Sequence, residues 1–205
     1  MPDFRIKLGQ KTRSFDRWKT VMEKYVSWRQ KYLWKGYFEK FFGALTGKID
    51  SNRDLAIHRE IYKRVGVSGD ILEVGCGAGG LKNIATDGLY AGIDPIQYDR
   101  KPDFRFCQGF AESLPYYDAS FDAVFMVASF DYFFEPHMAL REAKRVLRPG
   151  GSLGIALTLR EKDEEGDVQF YRYTEKSLID LVNAEISVHS SEVNSQNLIF
   201  IQAKK

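Results

Sequence analysis

Cysteine, histidine and long apolar runs are what this chain has least of. Its two cysteines, Cys76 and Cys107, stand far apart and in no metal-binding spacing, and its three histidines, His58, His137 and His189, are dispersed. That argues against a disulfide scaffold and against a structural zinc site, and no metal is expected. No stretch of about 18 apolar residues occurs, so no membrane-crossing helix is expected. Met1 to Gln10 mixes charged with apolar residues and lacks the apolar centre of a secretory signal. With so few thiols, the expected setting is the reducing cytoplasm.

The small net charge of +2 hides an asymmetry. Residues 1–50 hold 12 Lys/Arg against 5 Asp/Glu, or +7, and residues 51–205 hold 18 against 23, or −5. All three tryptophans, Trp18, Trp28 and Trp34, fall in the basic part. That shift in composition predicts two units, a basic aromatic segment over 1–50 and a larger domain over 51–205.

From residue 51 onward, strand-like and helix-like pieces alternate. Helices are predicted at Asn52–Val65, Leu81–Thr86, Pro136–Leu147 and Thr174–Ala184, the last with Thr174 as N-cap. Strands are predicted at Ile71–Val74, Leu89–Ile93, Phe104–Cys107, Ala123–Ala128, Leu153–Leu159, Ile186–Val193 and Leu198–Ala203. Alternation of this kind implies a parallel α/β sheet with helices on both faces. The last two strands are joined only by Asn194–Asn197, and such a tight join requires an antiparallel hairpin. Nine residues, Pro95 and Pro102 among them, separate Asp94 from Phe104. A loop or single turn is expected there instead of a crossover helix.

The stretch Ile71-Leu-Glu-Val-Gly-Cys-Gly-Ala-Gly-Gly80 is a buried strand running into a glycine-rich turn. Glycines let the backbone turn sharply and come close to a ligand, as at nucleotide sites. Gly75, Gly77 and Gly80 fit G-x-G-x-x-G, whereas Glu73, Gly75, Gly77 and Gly79 fit E-x-G-x-G-x-G, so glycine spacing leaves two nucleotide classes open. The next strand ends at Asp94, before Pro95, where a carboxylate can accept hydrogen bonds from both hydroxyls of a ribose.

Three further stretches follow in order: Gln108-Gly-Phe-Ala-Glu-Ser-Leu-Pro115, Ser120-Phe-Asp-Ala-Val124 and Arg145-Val-Leu-Arg-Pro-Gly-Gly151. Taken together over roughly residues 52–205, these motifs resemble the class I S-adenosylmethionine-dependent methyltransferases, in particular the small enzymes of the "type 11" methyltransferase kind. The resemblance implies a doubly wound, Rossmann-like sheet of seven strands in the order 3-2-1-4-5-7-6, with strand 7 antiparallel. A helical cap from the N-terminal segment is expected on top of it. The resemblance also implies S-adenosyl-L-methionine as cofactor and a small-molecule, lipid-linked or sugar-linked acceptor, methylated without metal. A nicotinamide-dependent reductase is disfavoured by the final hairpin and by the lack of a Tyr-x-x-x-Lys pair. A non-catalytic S-adenosylmethionine-binding module is the other alternative.

Carried over residue by residue, the resemblance places Glu73, Gly75, Cys76 and Gly77 on the methionine and ribose side of the cofactor. Asp94 and Pro95 fall at the ribose, and Phe110, Ala111 and Glu112 around the adenine. Val127 and Ala128 offer backbone contacts to the methionine amino group. Phe110 departs from the family's usual aspartate. It stacks on the adenine or fills the core, and Glu112 is the candidate for the adenine amine. Methyl transfer asks mainly for alignment and exclusion of water, plus a base when the acceptor is a hydroxyl. Asp131, Tyr132, Glu135 and His137 are the candidates after the fourth strand, with His137 alternatively a plain surface residue. Tyr171 and Tyr173 are candidates for the acceptor pocket or for packing. No Asn-Pro-Pro-Tyr and no Pro-Cys pair occurs, which turns the reading away from the amide-nitrogen and cytosine-carbon methyltransferases.

Within residues 1–50, Trp18, Val21, Met22, Tyr25, Trp28 and Tyr32 recur at helical spacing from Ser14 to about Phe42. Three readings stand: a cap on the catalytic domain, a basic amphipathic helix on an anionic surface, or a grip on an acidic acceptor. The basic patch is too short to argue for nucleic acid.

Overall fold

The computed structural model describes residues 52–85, 87–95, 102–160 and 169–205. The proposed cap over 1–50, the helix expected from Ser14, and most of the short connection after Asp94 lie outside the described residues.

The first helix, α1 (Asn52–Val65), buries Ile57, Ile61 and Val65, a four-residue spacing that lines one helix face. It stops at Gly66, whose φ of +60° and N–H bond to the Tyr62 carbonyl form a left-handed C-terminal cap. Seven strands follow: β1 (Ile71–Val74), β2 (Tyr90–Asp94), β3 (Arg105–Gln108), β4 (Phe121–Val127), β5 (Leu147–Thr158), β6 (Ser187–Val193) and β7 (Leu198–Lys204). Between β4 and β5 runs α2 (Pro136–Val146), and α3 (Glu175–Asn183) precedes β6. The sheet order is β3-β2-β1-β4-β5-β7-β6, with β7 antiparallel to both neighbours and the other pairs parallel, as the motifs implied.

Each sheet face has its own core. On one, α1 packs against Ile71, Ala123, Phe125, Ala156 and Phe200. On the other, Leu140, Ala143 and Val146 of α2 and Leu178 and Val182 of α3 cover Leu72, Val124, Met126, Leu153 and Ile155. Burial on both faces explains why β1 and β4 are apolar apart from Glu73 and Asp122 and show no regular alternation. Thr174 caps α3 as expected, accepting from Ser177 N while Ser177 Oγ accepts from Thr174 N. At the N-terminal edge of the sheet, Arg148 bridges Asp70 at 2.9 Å and Asp122 at 2.5 Å.

Two expected elements differ. The helix predicted at Leu81–Thr86 is one turn, closed by Ile84 N and Ala85 N on the Leu81 carbonyl, with Thr86 outside the described residues. Gly79 and Gly80 precede it, and the Glu73 side chain accepts the Leu81 amide at its start. The fifth strand starts at Leu147 instead of Leu153, because Leu147 already pairs with Phe121. Arg148-Pro-Gly-Gly151 then forms an irregularity in the ladder, with Gly150 at φ +78° and bonded to the Lys205 carbonyl. The remaining strand ends shift by one or two residues.

Candidate cofactor and acceptor site

The order of the sheet reverses between β1 and β4, and crevices for ligands open beyond the strand ends at such a point. The turn after β1 enters it directly. Gly75 N and Cys76 N both donate to the Ile93 carbonyl, and Gly79 N closes on Cys76 O at 2.7 Å. Gly75 has φ +72°, and a Cβ there would lie 2.4 Å from that of Ser129. Only glycine fits this bend. Gly77 also has positive φ, +51°.

Asp94 ends β2 and is buried, and its Oδ2 accepts the Gly77 amide at 3.0 Å. A carboxylate has acceptor capacity on both oxygens, so this one can brace the loop and still receive a ligand hydroxyl. Pro95, half-buried, follows, and its carbonyl accepts from Gln108 Nε2. Cys76 is buried beneath Gly92, and burial together with the charges of Glu73 and Asp94 pushes its thiol pKa up, so it stays protonated.

The resemblance places Glu73 beside the cofactor, and in the fold it is bound by the protein's own groups. Its side chain is on the α1 side of the sheet, behind the loop. Oε2 accepts from Leu81 N at 3.0 Å and Tyr90 Oη at 2.5 Å, and Oε1 lies 3.0 Å from His58 Nε2. It fastens the loop from behind.

After β3, Ala111 is buried and Phe110 half-buried, with its ring 5.8 Å from that of Phe134. Glu112 is buried, and its Oε1 accepts the Phe134 and Glu135 amides at 2.7 and 3.1 Å. That oxygen clamps the backbone after β4, and the carboxylate keeps acceptor capacity on Oε2. Burial pushes its pKa above the ordinary glutamate value despite those amides. At the end of β4, Val127 is buried and Ala128 turns to φ 50°. The Ala128 amide is committed to the Ala156 carbonyl at 2.7 Å. Backbone contact with a ligand there therefore falls to carbonyl oxygens, the right polarity for an amino group.

Asp131 and Tyr132 lie in the single 3-10 turn after β4 (Phe130–Tyr132). Both are half-buried. The Asp131 carbonyl accepts Phe170 N and Tyr171 N, and Tyr132 Oη accepts from Gln169 Nε2, so the segment after β5 is drawn onto this turn. His137 is not brought to them. It is exposed on α2, with Nδ1 3.1 Å from Glu185, which Arg141 also engages. Tyr171 Oη donates to the Phe134 carbonyl, and Phe134 lies 5.1 Å from the exposed ring of Phe170. Phe110, Phe134 and Phe170 thus form a run of rings beside the turn. Tyr173 is buried against Phe130, which fits packing.

Sequence reasoning missed His58, Tyr90, Ser129 and Phe134. Ser129 donates to the Val74 carbonyl at 2.9 Å and locks the end of β4 to the end of β1. None of the four lies in a motif; they meet the loop only through tertiary packing. Among the described residues, no group of three His, Cys, Asp or Glu is placed to hold a metal ion, and no helix is long and apolar enough to cross a membrane.

Residues 72–155 match the family model described as a methyltransferase domain. The phthiotriol/phenolphthiotriol dimycocerosates methyltransferase of Mycobacterium leprae is 36% identical over 166 residues, covering 69% of this chain and 60% of the relative. The demethylmenaquinone methyltransferase of Renibacterium salmoninarum is 36% identical over 97 residues, covering 42% of this chain and 40% of the relative. The chain thus spans about half the length of these curated relatives. Among solved structures, the Burkholderia thailandensis 1,6-didemethyltoxoflavin-N1-methyltransferase, with 1,6-didemethyltoxoflavin and S-adenosylhomocysteine bound, superposes with TM-score 0.64 at 14% identity. That match covers 97% of this chain and 93% of the other. At that identity it speaks for the fold alone.

Proposed function

We propose that this chain, whose described body is a class I S-adenosylmethionine-dependent methyltransferase domain, methylates a small or lipid-linked acceptor bearing a flat apolar ring. The observation that carries the reading is the union of Asp94 with Gly77 at the reversal point of the sheet. It sets a buried carboxylate beside a glycine turn, which suits a ribose diol and an adjoining main chain.

In this reading Asp94 holds the ribose diol, and the backbone carbonyls of Val127 and Ala128 meet the methionine amino group. Phe110, in place of a carboxylate, offers its ring to the adenine. When bound, S-adenosylmethionine supplies a methyl group already activated on a sulfonium, so the protein's task is alignment and the exclusion of water. Asp131 and Tyr132, on the turn after β4, face the acceptor side of the crevice. For a hydroxyl acceptor, Asp131 is the carboxylate to draw off the proton. His137, committed to Glu185 at the surface, takes no part.

The acceptor class rests on the exposed ring of Phe170, packed against Phe134, which suits a flat apolar partner. One curated relative is named for phthiotriol and phenolphthiotriol dimycocerosates and another for demethylmenaquinone, which supports an apolar acceptor. The test is calorimetric titration with S-adenosylhomocysteine, followed by transfer of labelled methyl from S-adenosylmethionine to a panel of hydroquinones and long-chain phenols. Binding and label in the lipid phase are expected. No heat at millimolar ligand removes the cofactor assignment, and binding with label in none of the panel removes the acceptor class.

A further inference from the structure

We propose that His58 of α1 is a positioning residue for the cofactor loop, acting through Glu73 and Gly80 without touching what the loop binds. The cofactor part of this inference rests on the function proposed above; the part concerning the loop does not.

Glu73 is 1% exposed, and a carboxylate so deeply buried is stable only where donors surround it. Two donors and one close ring are in place. Leu81 N at 3.0 Å and Tyr90 Oη at 2.5 Å hydrogen-bond one oxygen, and His58 Nε2 lies 3.0 Å from the other, an ion-pair contact without hydrogen-bond geometry. They come from three separate parts of the chain: the end of the glycine loop, β2 and α1. Leu81 is the first residue after the glycines, so its bond to Glu73 fixes where the loop ends. Removing the His58 ring nitrogen from beside the opposite oxygen lets the carboxylate turn, and the Leu81 amide loses its acceptor.

The ring of His58 also bears on the loop directly. A Cβ added to Gly80 would lie 2.1 Å from His58 Nε2 and 2.4 Å from Cδ2. His58 therefore supports the last glycine by contact and the next amide through Glu73. An ionised carboxylate only accepts, so Nε2 must carry a proton, in the neutral Nε2–H tautomer or as imidazolium. The docking of α1 does not depend on this residue, since Ile57, Ile61 and Val65 supply its buried face.

A glutamine side chain can present a donor near the same point, and a phenylalanine keeps a ring of similar size without one. The experiment compares wild type, H58Q and H58F in two measurements: hydrogen exchange of the Leu81 amide in the ligand-free chain, and calorimetric affinity for S-adenosylhomocysteine. H58F should expose the Leu81 amide to exchange and weaken binding about tenfold, the size expected when a buried acceptor is left short of a donor. H58Q should keep Leu81 protected and bind within about threefold of wild type, the spread usual for a near-equivalent hydrogen bond. With donor titrations in turnover, KM for S-adenosylmethionine should rise in H58F while kcat stays within about twofold. Wild-type Leu81 protection in H58F overturns the inference, and so does an H58Q variant as impaired as H58F. If H58F fails to fold, H58N, too short to reach Glu73, takes its place with the same expectations. If wild type binds no S-adenosylhomocysteine, the functional reading fails, while Leu81 exchange still decides whether His58 sets the loop.

Discussion

Asp94 Oδ2 accepts the backbone amide of Gly77 at 3.0 Å, so the end of one strand and the turn after its neighbour form a single braced unit. The pair lies seventeen residues apart in sequence and has a dual burden: the carboxylate must hold the turn and remain able to receive a ligand.

Replacing Asp94 by Ala should weaken S-adenosylhomocysteine binding at least tenfold, as expected for losing a charged hydrogen bond of about 1.5–3 kcal/mol. Calorimetry reads this directly. Asp94→Asn keeps an acceptor for Gly77 and should lose affinity with less loss of thermal stability than Asp94→Ala. Unchanged affinity in both variants would remove the ribose assignment.

Gly75→Ala should destabilise the fold by about 2 kcal/mol or more, combining left-handed backbone strain with a steric clash. The added Cβ would sit 2.4 Å from Ser129 Cβ. Adding Ser129→Gly removes the clash and should return only part of the stability, because φ +72° remains and the Ser129 bond to the Val74 carbonyl is lost, a cost that Ser129→Gly alone measures. Urea unfolding of the single and double variants separates the two contributions.

Glu112 supplies a pH prediction. Burial raises its folded pKa above the usual 4.5, so in that window the folded state holds more proton than the unfolded state. Stability must then fall as pH rises from about 4.5 through the folded pKa, and level off above it. Glu112→Gln, which still offers an oxygen to the Phe134 and Glu135 amides, should lack this decline. Chemical denaturation of both proteins across pH 4–8 checks it. A difference in stability that does not change with pH would contradict it.

His137→Ala should leave kcat and the donor KM within about twofold, and stability within about 0.5 kcal/mol, the usual scale for exposed ion pairs. A large fall in kcat would return His137 to the chemistry.

Phe170→Ala should raise KM for a ring-bearing acceptor several-fold while S-adenosylhomocysteine affinity stays constant. Phe170 is exposed and adjoins Phe134, apart from the glycine turn. A parallel loss of cofactor affinity would show that the rings belong to the adenine side alone.

The strand order was legible only through the resemblance that the motifs carry. The residues themselves showed the α/β alternation and the closing hairpin, since Asn194–Asn197 is too tight for anything else, and a glycine-rich turn after Val74. Helix and strand ends were less legible. Leu147 continues the helical apolar pattern, yet its backbone pairs with Phe121, and ladder bonds outweigh a weak local preference. The turn at Leu81 starts where a side chain eight residues earlier accepts its amide, a contact that local pattern does not show.

The sequence by itself determined the architecture, the glycine turn and the carboxylate that closes the second strand, since each follows from residue type and short spacing. Only the tertiary structure decided what the charged groups do. Glu73 and Asp94 look alike as acids at strand ends, but one turns behind the loop to His58, Tyr90 and Leu81, and the other meets Gly77 at the crevice. His137 and Glu112 likewise meet distant partners, Glu185 and the amides after β4. Hydrogen bonds and ion pairs depend on a few ångströms of approach between distant residues, and packing fixes that distance where pattern along the chain does not.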